Sequence, residues 1–152
     1  MELERAPVVG RVGPQADGRD VPFWDGLAHG RLLIQHCPEC GTWIWGPQWN
    51  CPECHRFDPV WTEVEPRGRV FSWTRTWQRF APEFAELVPF IVVVVELADV
   101  RPTHPRLLGL LLGDDAVDPV IGEEVEGVFQ PGSALTGGTA VLRWRRVAAA
   151  HP

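Results

Sequence analysis

Two CPEC segments lie within eighteen residues, CPECGTWIWGPQWNCPEC, from Cys37 to Cys54. Each puts two sulfurs on one side of a tight turn whose backbone N–H groups can donate to them, and two facing turns make a tetrahedral thiolate cage. Spacers of two, ten and two residues are shorter than the commonest template and suit a zinc ribbon or a rubredoxin-like knuckle pair. The chain has four cysteines, and MELERAPVVGRV at its start lacks an apolar core long enough for a secretion signal. The expectation is therefore metal ligation in a reducing cytoplasm, not a disulfide framework. Zinc is expected on Cys37, Cys40, Cys51 and Cys54, because four-cysteine ribbons stabilise small modules far more often than they transfer electrons. A rubredoxin-type iron centre shares the geometry and ranks second. A CxxC redox dithiol ranks last, since that motif uses one pair at the end of a βαβ strand. Four protein ligands close the site to water, so the zinc is read as structural. With the ligand set complete, His36 and His55 read as polar neighbours of the cluster.

The rest of the chain reads as short strands. Fifteen glycines and fifteen prolines among 152 residues favour turns over long helices and one domain or two very small ones. Residues 1–20 show no period and read as a flexible arm. Pro22 opens a short helix, with Phe23, Trp24, Leu27 and Ala28 as its apolar stripe and Gly30 as its stop. Arg31–Gln35 and Thr42–Trp45 form a hairpin around the first knuckle, and residues 21–65 make a helix-plus-ribbon module. From residue 66 to 147 the pattern is VFSWTRTW, FIVVVVEL, LLGLLL, VEGVF and TAVLRWRRV, with prolines between the strands. Phe71, Trp73 and Trp77 are expected on one strand face, and Gly109 at a bulge or barrel corner. Five strands suit a small barrel of the OB type, with 148–152 as a tail. The fold class is thus mainly β: a short N-terminal helix, a rubredoxin-like zinc ribbon and a five-stranded OB-fold barrel.

Charge and composition exclude some functions. The formal charge is −6; four thiolates and one divalent zinc take it to −8. That acidity argues against nucleic acid as the main partner. The longest apolar run, Phe90–Val95, is too short to span a bilayer. All 14 basic residues are arginine, and there is no tyrosine, so Schiff-base lysine and tyrosine acid chemistry are absent. Ser72 and Ser133 lack a nucleophile-elbow context. Asp114, Asp115, Asp118, Glu123, Glu124 and Glu126 read as a solvated acidic turn. No catalytic constellation emerges.

The segments FWDGLAHGRLLIQHCPECGTW, the second CPEC, GRVFSWT, PFIVVVVEL, RLLGLLL and IGEEVEGVF together resemble an acyl-CoA-associated family. Its members join a rubredoxin-like zinc ribbon to an OB-fold and were long designated a domain of unknown function. The resemblance covers about residues 21–147, and all four family cysteines are present. It implies a non-catalytic accessory subunit in a hetero-oligomer with a thiolase-superfamily enzyme: a thiolase, or a lipid-transfer-protein-like aldolase that cleaves steroid side-chain CoA thioesters. Some relatives carry the domain fused to a hydratase-like domain.

Acyl-CoA needs cations for its phosphates and apolar or stacking surface for the rest. Arg67, Arg69, Arg75 and Arg79, interleaved with Trp73 and Trp77, are the candidates for a thioester channel shared with the partner. Trp43, Trp45, Trp49, Phe23 and Trp24 are the candidates for docking it. Either Trp43 or Trp45 is expected to pack on the hairpin, with Trp49 facing outward. Two other readings stay open: a single-stranded nucleic-acid binder, against which the charge speaks, and a red, iron-containing electron carrier.

Overall fold

The computed structural model describes residues 12–80, 82 and 85–148. Helix α1 spans Val21–Ala28, with proline in its first turn and Gly30 at φ 70° turning the chain out of it. Phe23 and Leu27, one turn apart, are its buried side chains. Strands β1 (Leu32–His36), β2 (Trp43–Ile44) and β3 (Val60–Val64) follow. They form one antiparallel sheet in the order β2-β1-β3. The expected hairpin is present, and β3, which the sequence reading left inside the ribbon without an element, completes its sheet by pairing along all of β1.

Strands β4 (Arg67–Thr76), β5 (Phe90–Leu97), β6 (Arg106–Leu112), β7 (Glu124–Gln130) and β8 (Val141–Arg146) close a barrel in the order β4-β5-β6-β8-β7. The closure between β6 and β8 is parallel, through Leu111 with Trp144 and Leu112 with Arg145. This is the expected five-stranded barrel. Its interior holds Val70, Ile91, Val93, Val95, Leu97, Leu107, Leu111, Val125, Leu142 and Trp144, and the same apolar cluster continues into Phe23, Leu27, Leu32 and Ile34. Helix, ribbon strand and barrel therefore share one core, which a ribbon of this size could not supply by itself.

Three expectations need correction. Phe71, Trp73 and Trp77 do not share a face, because the register between β4 and β5 shifts between Val70 and Ser72. The extra residue sends Phe71 outward while Val70 and Trp73 lie opposite the inward Val95 and Val93. Gly109 sits in an unbroken ladder from Val92↔Leu110 to Glu96↔Arg106, so it marks no bulge. A Cβ there would stand 2.7 Å from Trp144 Cδ1, and the glycine makes room for the indole inside the barrel. Residues 12–20 are not loose: Thr139 Oγ1 donates to the Val12 carbonyl at 3.2 Å, and the Gln15 amide donates to Asp20 Oδ1 at 2.8 Å. The remainder of the expected arm, residues 1–11, and tail residues 149–152 lie outside the described residues.

Candidate metal centre and its surroundings

The two CPEC turns fold as near copies. The Cys37 amide donates to the Thr42 carbonyl and the Cys51 amide to the Arg56 carbonyl, both at 2.8 Å. The Gly41 and His55 amides donate back to Cys37 and Cys51 carbonyls, both at 3.0 Å. Each turn closes on a residue in the left-handed region, Gly41 at φ 75° and His55 at φ 61°. Glycine takes that conformation freely, whereas histidine holds it only because the surrounding bonds fix the turn.

These turns bring all four sulfurs within 4.8 Å of one another, the one such cluster among the described residues. Cys37 lies 3.5 Å from Cys54 and Cys40 lies 3.6 Å from Cys51, sulfur to sulfur. A tetrahedron with ~2.3 Å metal–sulfur bonds has edges of about 3.8 Å, so the cage fits a zinc ion. Cys37 and Cys51 are buried, Cys40 and Cys54 exposed. Hydrogen bonds from the Thr42 hydroxyl and then its amide bring the Cys40 thiol down to about 6. At Cys54 the Arg56 amide pulls downward, but desolvation and the other three sulfurs outweigh it and push the thiol up to about 12. Four thiolates cannot gather here without a cation to offset their repulsion, and a divalent ion supplies that charge. His36 packs against Trp43 with its ring tilted, centroids 4.5 Å apart, and neither it nor His55 belongs to the sulfur cluster.

Between the knuckles, buried Gln35 holds the loop with its whole amide. Its Nε2 donates to the Gln48 carbonyl at 3.1 Å, and its Oε1 accepts from the Gln48 amide at 2.9 Å. The reading from sequence missed Gln35, and no local signal marks it, because its partner Gln48 lies across the loop.

The five docking candidates separate. Phe23 is buried, and its ring packs edge-on against Trp24 at 5.1 Å and Trp45 at 5.0 Å. Trp24 Nε1 donates to buried Asp20 Oδ2 at 2.8 Å. Trp43 is spent inside the chain, donating through Nε1 to the Arg101 carbonyl at 2.9 Å. Trp45 is 38% exposed at the edge of the helix, and Trp49 is 57% exposed. Trp24 and Trp45 line a groove of about 430 Å³ with Leu108 and Leu142 of the barrel.

The channel candidates separate too. Eight residues of strand place Arg67 and Arg75 roughly 25 Å apart, so they serve opposite ends of the barrel. Arg75 lies beneath Trp73 and Trp77, 5.7 and 5.5 Å from their rings. Its Nη1 bonds Asp118 Oδ1 at 2.5 Å, while its Nε and Nη2 are buried without a partner among the described residues. Arg79 is exposed beyond the strand. At the other end Arg67 and Arg69 line a groove of about 410 Å³ with Arg101, His104, Asp99 and Glu124. Asp114, Asp118 and Glu124 of the acidic turn are exposed, as expected, and its glutamates pair with arginines: Glu123 meets Arg146, Glu124 meets Arg69 and Glu126 meets Arg145. Ser72 sits on the outside of the β4 bulge.

A closed four-thiolate cage packed on a small OB barrel defines a zinc-ribbon–OB protein. Residues 24–60 match the family described as "ChsH2, rubredoxin-like zinc ribbon domain", and residues 61–130 match "ChsH2, C-terminal OB-fold domain". The chain belongs to the ChsH2-type family that joins these two domains. Its fold is similar to that of the solved structure "Ltp2-ChsH2(DUF35) aldolase", with 25% identity, a TM-score of 0.73, and coverage of 88% of this chain and 98% of that one. It is also similar to a DUF35-family protein of unknown function from Sulfolobus solfataricus, at 16% identity, a TM-score of 0.57, and coverage of 88% and 87%, which supports the fold alone. No curated protein sequence matches the chain significantly. No helix among the described residues is long and apolar enough to cross a membrane.

Proposed function

We propose that this chain is a non-catalytic accessory subunit of a thiolase-superfamily enzyme, an aldolase of the lipid-transfer-protein-like kind that cleaves acyl-CoA thioesters, as in steroid side-chain degradation in the cytoplasm. The observation that carries the reading is likeness over nearly the full length to a chain solved as part of an Ltp2-ChsH2 aldolase. The chemistry of the chain supports it. Its only cysteines form one cage, and a cage with four protein ligands leaves no open position for substrate or water. Zinc here holds the ribbon in shape; the residues that would hold it are Cys37, Cys40, Cys51 and Cys54.

Handling of the thioester falls to the groove beside Arg67, whose guanidinium has no acidic partner among the described residues. Phosphate groups favour an arginine that is not already neutralised. Arg75, paired with Asp118 between two indoles, serves the barrel end as a packed ion pair. Trp49, with Trp45 at the groove edge, presents ribbon surface to the partner. Co-purification from the source cell tests the function: a thiolase-superfamily subunit identified by mass spectrometry in stoichiometric amount is expected. A chain that purifies alone, in quantity and with no such subunit, would contradict it.

A further inference from the structure

The barrel wears two different outer faces. On β7 and β8 the outward side carries charged and polar residues that pair across the strands: Arg145 Nη2 bonds Glu126 Oε1 at 2.6 Å and Arg143 Nε bonds Gln130 Oε1 at 2.9 Å. This is how an antiparallel face meets water. The outward side of β5 and β6 is built otherwise. While Ile91, Val93, Val95 and Leu97 fill the barrel, Val92 and Val94 point outward. The register sets them beside Leu110 and Leu108. Thr74 and Ser72 flank them from β4, and Phe71 on the bulge is 47% exposed. Leu108 is 70% exposed. No charge interrupts this strip until Glu96 and Arg106 at its end, and those two pair with each other at 2.9 Å. Arg106 also lies over the Phe71 ring at 3.6 Å.

We infer that the outer face of β4, β5 and β6 is covered in the assembly by an uncharged apolar surface of the catalytic subunit, an inference that rests on the accessory-subunit reading above. Charge selects the occupant's chemistry. Glu96 and Arg106, the charged pair at the end of the strip, neutralise each other, so the face of β4, β5 and β6 offers no counter-charge to a nucleic acid or to a charged peptide. Area selects against a second copy. Two rows on three strands, ~6.6 Å and ~4.8 Å apart, give roughly 200 Å², against about 800 Å² per side for a stable interface. A two-fold contact through this face alone falls short. The apolar surface continues instead through Leu108 into the groove lined by Trp24 and Trp45, and a larger partner can cover face and groove together.

The test uses the full zinc-loaded chain and the catalytic subunit identified by co-purification. Leu108→Glu introduces a charge at an exposed position, so zinc content and the unfolding midpoint should match wild type. Its affinity for the catalytic subunit should fall ~100-fold, since the interface would enclose an unpaired carboxylate. Glu126→Gln on the β7–β8 face should bind as wild type does. Leu108→Glu binding within threefold of wild type would overturn the assignment of this face and leave the accessory role standing. A wild-type chain that dimerises alone, and is made monomeric by Leu108→Glu, would assign the face to a second copy and overturn the inference. Absence of wild-type binding would remove the accessory role and the inference with it.

Discussion

Trp43 in the ribbon and Arg101 in the barrel are joined by a hydrogen bond, Nε1 to carbonyl, of 2.9 Å. Thr103 Oγ1 reinforces the joint by accepting from the Trp43 amide and donating to the Trp43 carbonyl, each at 2.9 Å. One side chain in the β5–β6 loop thus satisfies both backbone groups of Trp43. Thr103→Val removes both bonds and strands a partly buried amide, which costs about 1–3 kcal/mol. Urea unfolding should show this as a lower midpoint with an unchanged slope, while zinc content stays at one per chain. An unchanged midpoint would mean that the ribbon and the barrel are not coupled through this loop.

Metal removal should separate the ribbon's stability from the barrel's. The buried sulfurs Cys37 and Cys51 carry the amides that start each knuckle. Cys51→Ser should lose stoichiometric zinc and several kcal/mol, because ligation free energy is folding free energy in a module this small. Elemental analysis and circular dichroism check it. Purified protein should be colourless; a red chain with one iron would assign the cage to electron transfer.

Gly109→Ala tests the close approach inside the barrel. Its Cβ would fall 2.7 Å from Trp144 Cδ1 and 2.9 Å from Nε1, and Trp144 is fully buried. Overpacking of this kind costs about 1–3 kcal/mol. Thermal unfolding should show the loss, and an unaffected midpoint would mean the indole has room to move.

The two arginine ends should answer differently to CoA. Arg67→Ala in the assembled enzyme should weaken acyl-CoA binding several-fold, more so at low salt. Arg75→Ala should leave that affinity within a factor of two, because Asp118 already holds its charge. Calorimetric titration of both variants decides; the opposite ranking would move the thioester to the Trp73–Trp77 end.

Much of this was legible beforehand, for reasons that lie in the residues. The two CPEC turns carry their geometry locally, so the cage could be read from spacing. Pro22 and Gly30 bracket the helix, and the prolines between strands mark out five barrel strands. What escaped depends on contacts distant in sequence. The bulge at Phe71 flips the phase of β4, and no local residue announces it. Gly109 was noticed but explained wrongly, because its reason is Trp144, thirty-five residues later in the chain. Val60–Val64 is too short and mixed to stand out as β3, and it becomes a strand only beside β1. The arginine candidates looked like one group because they crowd one segment, whereas an extended strand spreads them along the barrel. Gln35 reads as an ordinary polar residue until Gln48 is seen across from it.

The most direct measurement is reconstitution of acyl-CoA cleavage from separately purified parts. The catalytic subunit alone should be inactive or unstable, the zinc-loaded chain alone should turn over nothing, and mixing them should restore retro-aldol cleavage of the thioester at a one-to-one ratio. Turnover by this chain alone, or full activity of the catalytic subunit without it, would contradict the accessory role.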